Sequence, residues 1–113
     1  MRTDLVRVVG DDWDWEWSTS DDVSSWSSPV VTIRDGRGVD AAVLATSTGG
    51  TPTITTTGTN FATGDLSWQV ARAVTSTFDV RSAWLEVEVL IDGRAVTVMS
   101  EALSIVRQTA VRP

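Results

Sequence analysis

The chain has 113 residues, enough for one domain with a real core, and a formal charge of -6 at neutral pH. That charge argues against a phosphate-backbone partner, which needs a basic face. Cysteine and histidine are both absent, which excludes a disulfide framework and a thiolate metal site and removes the commonest general base and transition-metal ligand.

All nine cations are arginine, and the wealth of Ala, Val, Thr, Asp and Gly suits a GC-rich genome. The opening MRTDLVRVVGDDW carries an acid at Asp4 and only a short apolar run, so it does not read as a signal peptide. No apolar run approaches the roughly 20 residues that span a bilayer. The expectation is a protein kept in the cytosol, or carried out of it in an assembled particle, with no membrane partner.

No helical period stands out along the chain. Short runs rich in Val, Thr, Ile and Trp recur between Gly, Asp, Ser and Pro, the pattern of an all-β sandwich. LVRVV (5–9) is the first run, broken by Gly10 and followed by WDWEW (13–17). STSDDVSSWSSP (18–29) reads as a polar loop in which Val23 and Trp26 are the only large apolar groups. VVTIR (30–34) and VDAAVLAT (39–46) flank Asp35-Gly36, and an Asp-Gly between β-branched runs signals a hairpin. TSTGGTP (46–52) is a turn, and TITTT (53–57) is a strand with little to bury, suited to a sheet edge. LSWQVA (66–71) follows the Gly64-Asp65 turn. ARAVTSTFDVRSA (71–83) is the one stretch that could hold a helical turn.

WLEVEVLI (84–91) is the clearest strand. Leu85, Val87, Val89 and Ile91 share one face; Trp84, Glu86 and Glu88 share the other. Asp92-Gly93 forms a second hairpin turn, and AVTVMSEALSIVR (95–107) returns. Its apolar parity changes from even (Val96, Val98) to odd (Leu103, Ile105), which predicts a bulge near Ser100-Glu101. QTAVRP (108–113) reads as a loosely ordered tail or an arm for a neighbour. Seven or eight strands with no repeat and no linker make a single domain over 1–113, an Ig-like antiparallel β-sandwich.

Catalysis finds little support. Serine and threonine abound, but no histidine or lysine is present to activate them. A glycosidase needs two opposed carboxylates in a cleft. Glu16, Glu86, Glu88 and Glu101 could supply a pair, yet a sandwich this small leaves little room, and alternation puts Glu86 and Glu88 on a solvated face. The reading is a non-enzyme with no cofactor. Asp11, Asp12, Asp14, Asp21 and Asp22 have oxygen ligands suited to calcium but no EF-hand spacing. Acids beside serines more often decorate a solvated loop, and Asp21-Asp22 suit a turn cap.

The tryptophans offer sharper candidates. On a strand, Trp13, Trp15 and Trp17 point the same way at about 6.5 to 7 Å intervals, a row about 13 Å long that matches a few sugar rings. The competing reading is a half-buried strand with Asp12, Asp14 and Glu16 on its back. Three adjacent indoles crowd a narrow core, so one or two are expected inside and at least one at the rim or under a partner. Trp68 reads as a core anchor, Trp84 as the best exposed aromatic, and Trp26 as a plug at one end. Tryptophan suits protein interfaces as well as sugars, by its rigid area and single donor. Trp13, Trp15, Trp17, Trp26 and Trp84 are therefore the candidate partner-binding residues.

The order of these signals resembles one family. GDDWDWEW, then SSPVVTIRDGRG, LSWQVA, RAVTSTF, WLEVEVLIDGR and VTVMSEALSIV follow the pattern of the N-terminal domain of tailed-phage baseplate upper proteins, and of related Ig-like domains of phage virions. The likeness covers most of the chain through general β-sandwich motifs. SSWSS replaces the family's usual Leu-Thr-Gly-Tyr type of segment, and no C-terminal shaft or head follows. The resemblance implies a virion location, many copies docked on neighbouring virion proteins in a symmetric homo- or hetero-assembly, and no catalysis. A tail-tip or baseplate component and a capsid decoration protein both fit. A glycan-binding module using the Trp row is the alternative from another class.

Overall fold

The computed structural model describes residues 6–49 and 52–106. Eight strands and one helical turn follow in order: β1 (Val6–Val8), β2 (Trp13–Ser18), β3 (Trp26–Arg34), β4 (Val43–Thr46), β5 (Ile54–Asn60), β6 (Asp65–Val70), α1 (Arg72–Thr75), β7 (Ser82–Ile91) and β8 (Arg94–Val106). They form a five-stranded sheet, β1-β8-β7-β3-β4, and a three-stranded sheet, β2-β6-β5. The two sheets pack as a β-sandwich. In the immunoglobulin order, β2, β6 and β5 take the places of strands B, E and D. β8, β7 and β3 take those of G, F and C, with β4 added at the edge as C′. The tail at 108–113, together with Leu5, lies outside the described residues.

Alternation builds the core. On β2, Trp13 and Trp15 are buried while Asp14 and Glu16 are exposed. On β6, Leu66, Trp68 and Val70 face inward; on β7, Ala83, Leu85, Val87 and Val89 do. Trp68 is the anchor its sequence context suggests, with no exposed surface. No cysteine clamps the sheets. Within the three-stranded sheet, Trp15 of β2 stacks on Trp68 of β6 at 5.9 Å between ring centres, and Trp13 meets Trp15 edge-on at 6.0 Å. Each large indole hides roughly 150–250 Å², enough at about 25 cal/mol per Å² to outweigh the cost of the Trp15 and Trp68 N–H groups, which are buried without acceptors.

The connections explain the register. Asp92 and Gly93 have φ of 52° and 77°, as a two-residue type I′ turn requires, and Ile91 pairs with Arg94 across it. Asp35-Gly36 behaves differently from the expected tight hairpin. Asp35 N–H donates to Ala42 O and Asp35 Oδ1 accepts from Ala42 N–H, so the turn opens into a loop over 35–42 and β4 begins only at Val43. The parity change in β8 is a bulge, but it lies earlier than Ser100-Glu101: Val87 pairs with Met99 and Glu88 with Thr97, leaving Val98 unpaired. Odd residues face inward after it, as at Met99, Leu103 and Ile105.

Two further departures concern chain ends. β1 pairs with β8 in parallel, an exception to the antiparallel pattern, because strands this far apart in sequence need no tight turn. Trp26, expected in a loop, is the first residue of β3. The strand continues past an irregularity between Ser27 and Val30, which accommodates Ser28 at φ 49° and Pro29, a residue that cannot donate to a ladder.

Candidate docking surface

The five singled-out tryptophans divide into three groups. Trp13 and Trp15 are 1% and 4% exposed, so they are core residues and cannot meet a partner. The physical reason is the strand's own alternation, which turns Asp14 and Glu16 outward. Arg7 of β1 lies over Trp15 with its guanidinium carbon 4.3 Å from the ring centre, and Trp13 Nε1 donates to Val8 O at 2.8 Å. Together they tie the first strand to the second across one side of the sandwich.

Trp17 and Trp26 form the second group. Both are half-buried and stack at 6.2 Å with 21° between planes. Phe61, also half-buried, packs edge-on against Trp26 at 5.9 Å. The three rings come from the end of β2, the start of β3 and the turn between β5 and β6. They form an aromatic ledge at the end of the sandwich where the 19–25 loop and the 61–64 turn meet. The scaffold under the ledge is hydrogen-bonded: Val23 N–H donates to Phe61 O at 2.7 Å and Thr19 N–H to Gly64 O at 2.9 Å. Phe61 was not among the sequence candidates. Its only sequence signal is its place beside a Gly-Asp turn.

Trp84 stands alone on the outer face of the five-stranded sheet, half-buried rather than fully exposed. Its Nε1 donates to Ser100 Oγ, and the Arg37 guanidinium lies 5.4 Å from its ring centre. Beside it, Arg34 pairs with Glu86 at 3.5 Å and donates through Nη1 to Ala41 O at 3.1 Å. Glu88 is exposed as expected. A shallow hollow of about 360 Å³ on this face is lined by Thr32, Arg34, Val43, Thr46, Glu86 and Glu88, among others.

The other candidate carboxylates are dispersed. Glu16 and Asp65 line a second hollow of about 430 Å³ with Trp17, Asn60 and Ser67. Glu101 shares the inward parity of Met99 and Leu103 and is half-buried. The acids of 11–22 do local work. Asp12 Oδ1 accepts from Arg72 N–H at 2.7 Å and Asp14 Oδ1 from Gln69 Nε2 at 3.0 Å. Asp22 caps its turn by accepting from Ser24 N–H and Oγ. Those two bonds hold the Asp22 carboxyl below its ordinary pKa, the hydroxyl contributing more. Thr63 and then Ser18 do the same for Asp65. Among the described residues, no three His, Cys, Asp or Glu side chains gather as a metal site would require.

Thr75 is the one fully buried polar residue among those described. Its hydroxyl donates to Asp11 O at 2.7 Å and accepts from Gly10 N–H at 3.2 Å. It clips α1 to the β1–β2 connection at the opposite end from the ledge. Compared with protein-family models and with curated proteins, the chain matches none.

Proposed function

We propose that this chain is a non-enzymatic structural protein of a tailed-phage virion, in the tail tip or baseplate or as a capsid decoration protein. It acts by docking in many copies against neighbouring virion proteins. The virion part of the reading rests on the order of sequence signals from GDDWDWEW to VTVMSEALSIV. The docking part rests on one observation: Trp17, Trp26 and Phe61 form a packed, half-exposed ledge at the loop end of the sandwich. Rings held by strand ends lose little freedom when covered, and tryptophan anchors of this kind dominate interface energies. Trp84, braced by Ser100 and Arg37, is a second anchor.

The glycan-binding alternative loses its platform, because two of the three indoles in its row are in the core. A glycan would have to use Trp84 or the edge of Trp17. Immunogold labelling of particles purified from the source tests the main reading. Gold spread over the head means decoration, and gold at the distal tail means a tail-tip part. No gold on any particle refutes the virion assignment. Trp26→Ala, which keeps the core intact, is then expected to reduce incorporation. Normal incorporation would remove the ledge from the interface. A shift of Trp emission on adding glycans would favour the alternative.

A further inference from the structure

We infer that the β5 side of the sandwich is a self-association surface, at which a second copy of this chain pairs across the free edge. The inference rests on the reading of this chain as a docking domain. Its test is made in solution and fails separately from particle labelling.

β5 is an edge strand of the three-stranded sheet. After Ile54, every residue from Thr55 to Asn60 is exposed, and β6 uses only one side of its backbone. The neighbouring edge of the other sheet is closed at Thr46, whose O accepts from Thr53 N–H at 2.9 Å and whose N–H donates to Thr53 Oγ1 at 3.2 Å. β5 is thus the open template on this side.

Its charge is the unusual feature. Sheet edges are normally protected by charged side chains. In a chain that is 21% charged, positions 41–64 contain no Asp, Glu, Lys or Arg. That stretch includes all of β4 and β5. Other surfaces carry charge: Asp14 and Glu16 on β2 with Asp12 just before it, Arg34, Glu86 and Glu88 on the five-stranded face, and Asp21 and Asp22 in the 19–25 loop. Two molecules of charge -6 repel each other, and the repulsion is least where no ionised group is brought into contact. An oppositely charged partner would be drawn to the other faces. The neutral edge selects a second copy.

The sequence of the strand suits a two-fold axis. About an axis between Thr57 and Gly58, an antiparallel copy sets Thr56 opposite Thr59 on the face of Trp68 and Leu66, and Thr55 opposite Asn60 on the other face; Thr–Thr pairs across strands are favourable. Thr57 is itself the bulged residue, between Thr56 and Gly58. The bulge then falls beside the axis, and each straight half of β5 faces the other half of its mate. The contact is isologous and closed, so it yields a dimer rather than a fibre.

Sedimentation velocity from micromolar to several hundred micromolar protein, at low and high salt, tests the inference. A concentration-dependent dimer is expected, and salt strengthens it by screening the net repulsion. Thr55→Glu with Asn60→Glu, which the two-fold sets opposite each other on the outer face, is expected to lower the association constant at least roughly tenfold, because like charges opposite each other on paired strands are destabilising. Thr97→Glu, an exposed position on β8, is expected to leave association unchanged. Amide hydrogen exchange of the wild type adds a readout that needs no variant: protection of β5 rises with concentration. A monomer at every concentration overturns the inference. So does a dimer weakened by salt, a Thr97→Glu effect equal to that of the double variant, or β5 exchange that ignores concentration.

Discussion

Gly64→Ala separates two costs that are usually confounded. Gly64 has φ +76°, a conformation that costs an alanine about 1–2 kcal/mol. A Cβ there would also collide with Thr19 Oγ1 and stand 2.5 Å from the Asp21 carbonyl oxygen. The 19–25 loop must then move off the 61–64 turn. It gives up the Thr19–Gly64 and Val23–Phe61 backbone bonds, worth about 1 kcal/mol each. The expected total is about 3–4 kcal/mol. Gly93 has nearly the same φ, +77°, with nothing within 4 Å of its added Cβ, so Gly93→Ala bears the strain alone. At about 4 °C per kcal/mol for a domain of this size, Gly64→Ala should lower Tm by roughly 12–16 °C and Gly93→Ala by roughly 4–8 °C. Thermal unfolding followed by circular dichroism measures both. Equal drops would refute the claim that the turn is wedged against the loop.

Trp68→Ala removes about 200 Å² of buried ring and should cost about 3–5 kcal/mol, read as a lower denaturant midpoint. Trp84→Ala, on the outer face, should cost less than about 1.5 kcal/mol. Comparable losses would contradict the assignment of core and surface. Thr75→Val keeps the shape but leaves Gly10 N–H and Asp11 C=O without the hydroxyl, at a cost of about 1–3 kcal/mol; Thr75→Ser should retain most of the stability. The Asp22 and Asp65 carboxylates, held below their ordinary pKa of 3.8, stabilise the fold when ionised. Their contribution is complete above that value and fades as pH falls through their lowered folded-state values. An acid titration by NMR should find both midpoints below 3.8, and Asp22→Asn should flatten the acid limb of the stability curve. Midpoints at or above 3.8 would contradict the turn caps.

Period-two alternation made much of this fold legible. Trp84, Glu86 and Glu88 lie on one face and Leu85, Val87 and Val89 on the other, as the sequence reads. TITTT lies at an edge, α1 falls inside 71–83, and two of the three WDWEW indoles are inside with the third at the rim. What was not legible depends on distance along the chain. Nothing near LVRVV announces a parallel ladder to β8, because that pairing has no local turn to encode it. Trp26 looked like a loop residue because Ser28 and Pro29 read as breakers, whereas the sheet absorbs them in an irregular register. The two Asp-Gly pairs were indistinguishable by type. One makes a tight turn and the other is opened by its own aspartate, which bonds to Ala42. Phe61 entered the ledge only through the packing of Trp26.

The ladder between β1 and β8 matches Val6 with Ser104. The first strand of the sandwich in chain order therefore has its sheet partner in the last. The β7–β8 hairpin can close locally through its two-residue turn. Before it exists, β1 has no sheet to join, and Arg7 has no fixed place over Trp15. Synthesis of this chain thus passes through a long interval in which the core indoles of β2 and β6 are made but uncovered. A topology this rich in distant contacts folds in milliseconds to seconds, and the ladder of β1 is available only once β8 exists. A chain interrupted before β8 would hold most of the apolar mass of the sandwich with no ladder for β1 to join.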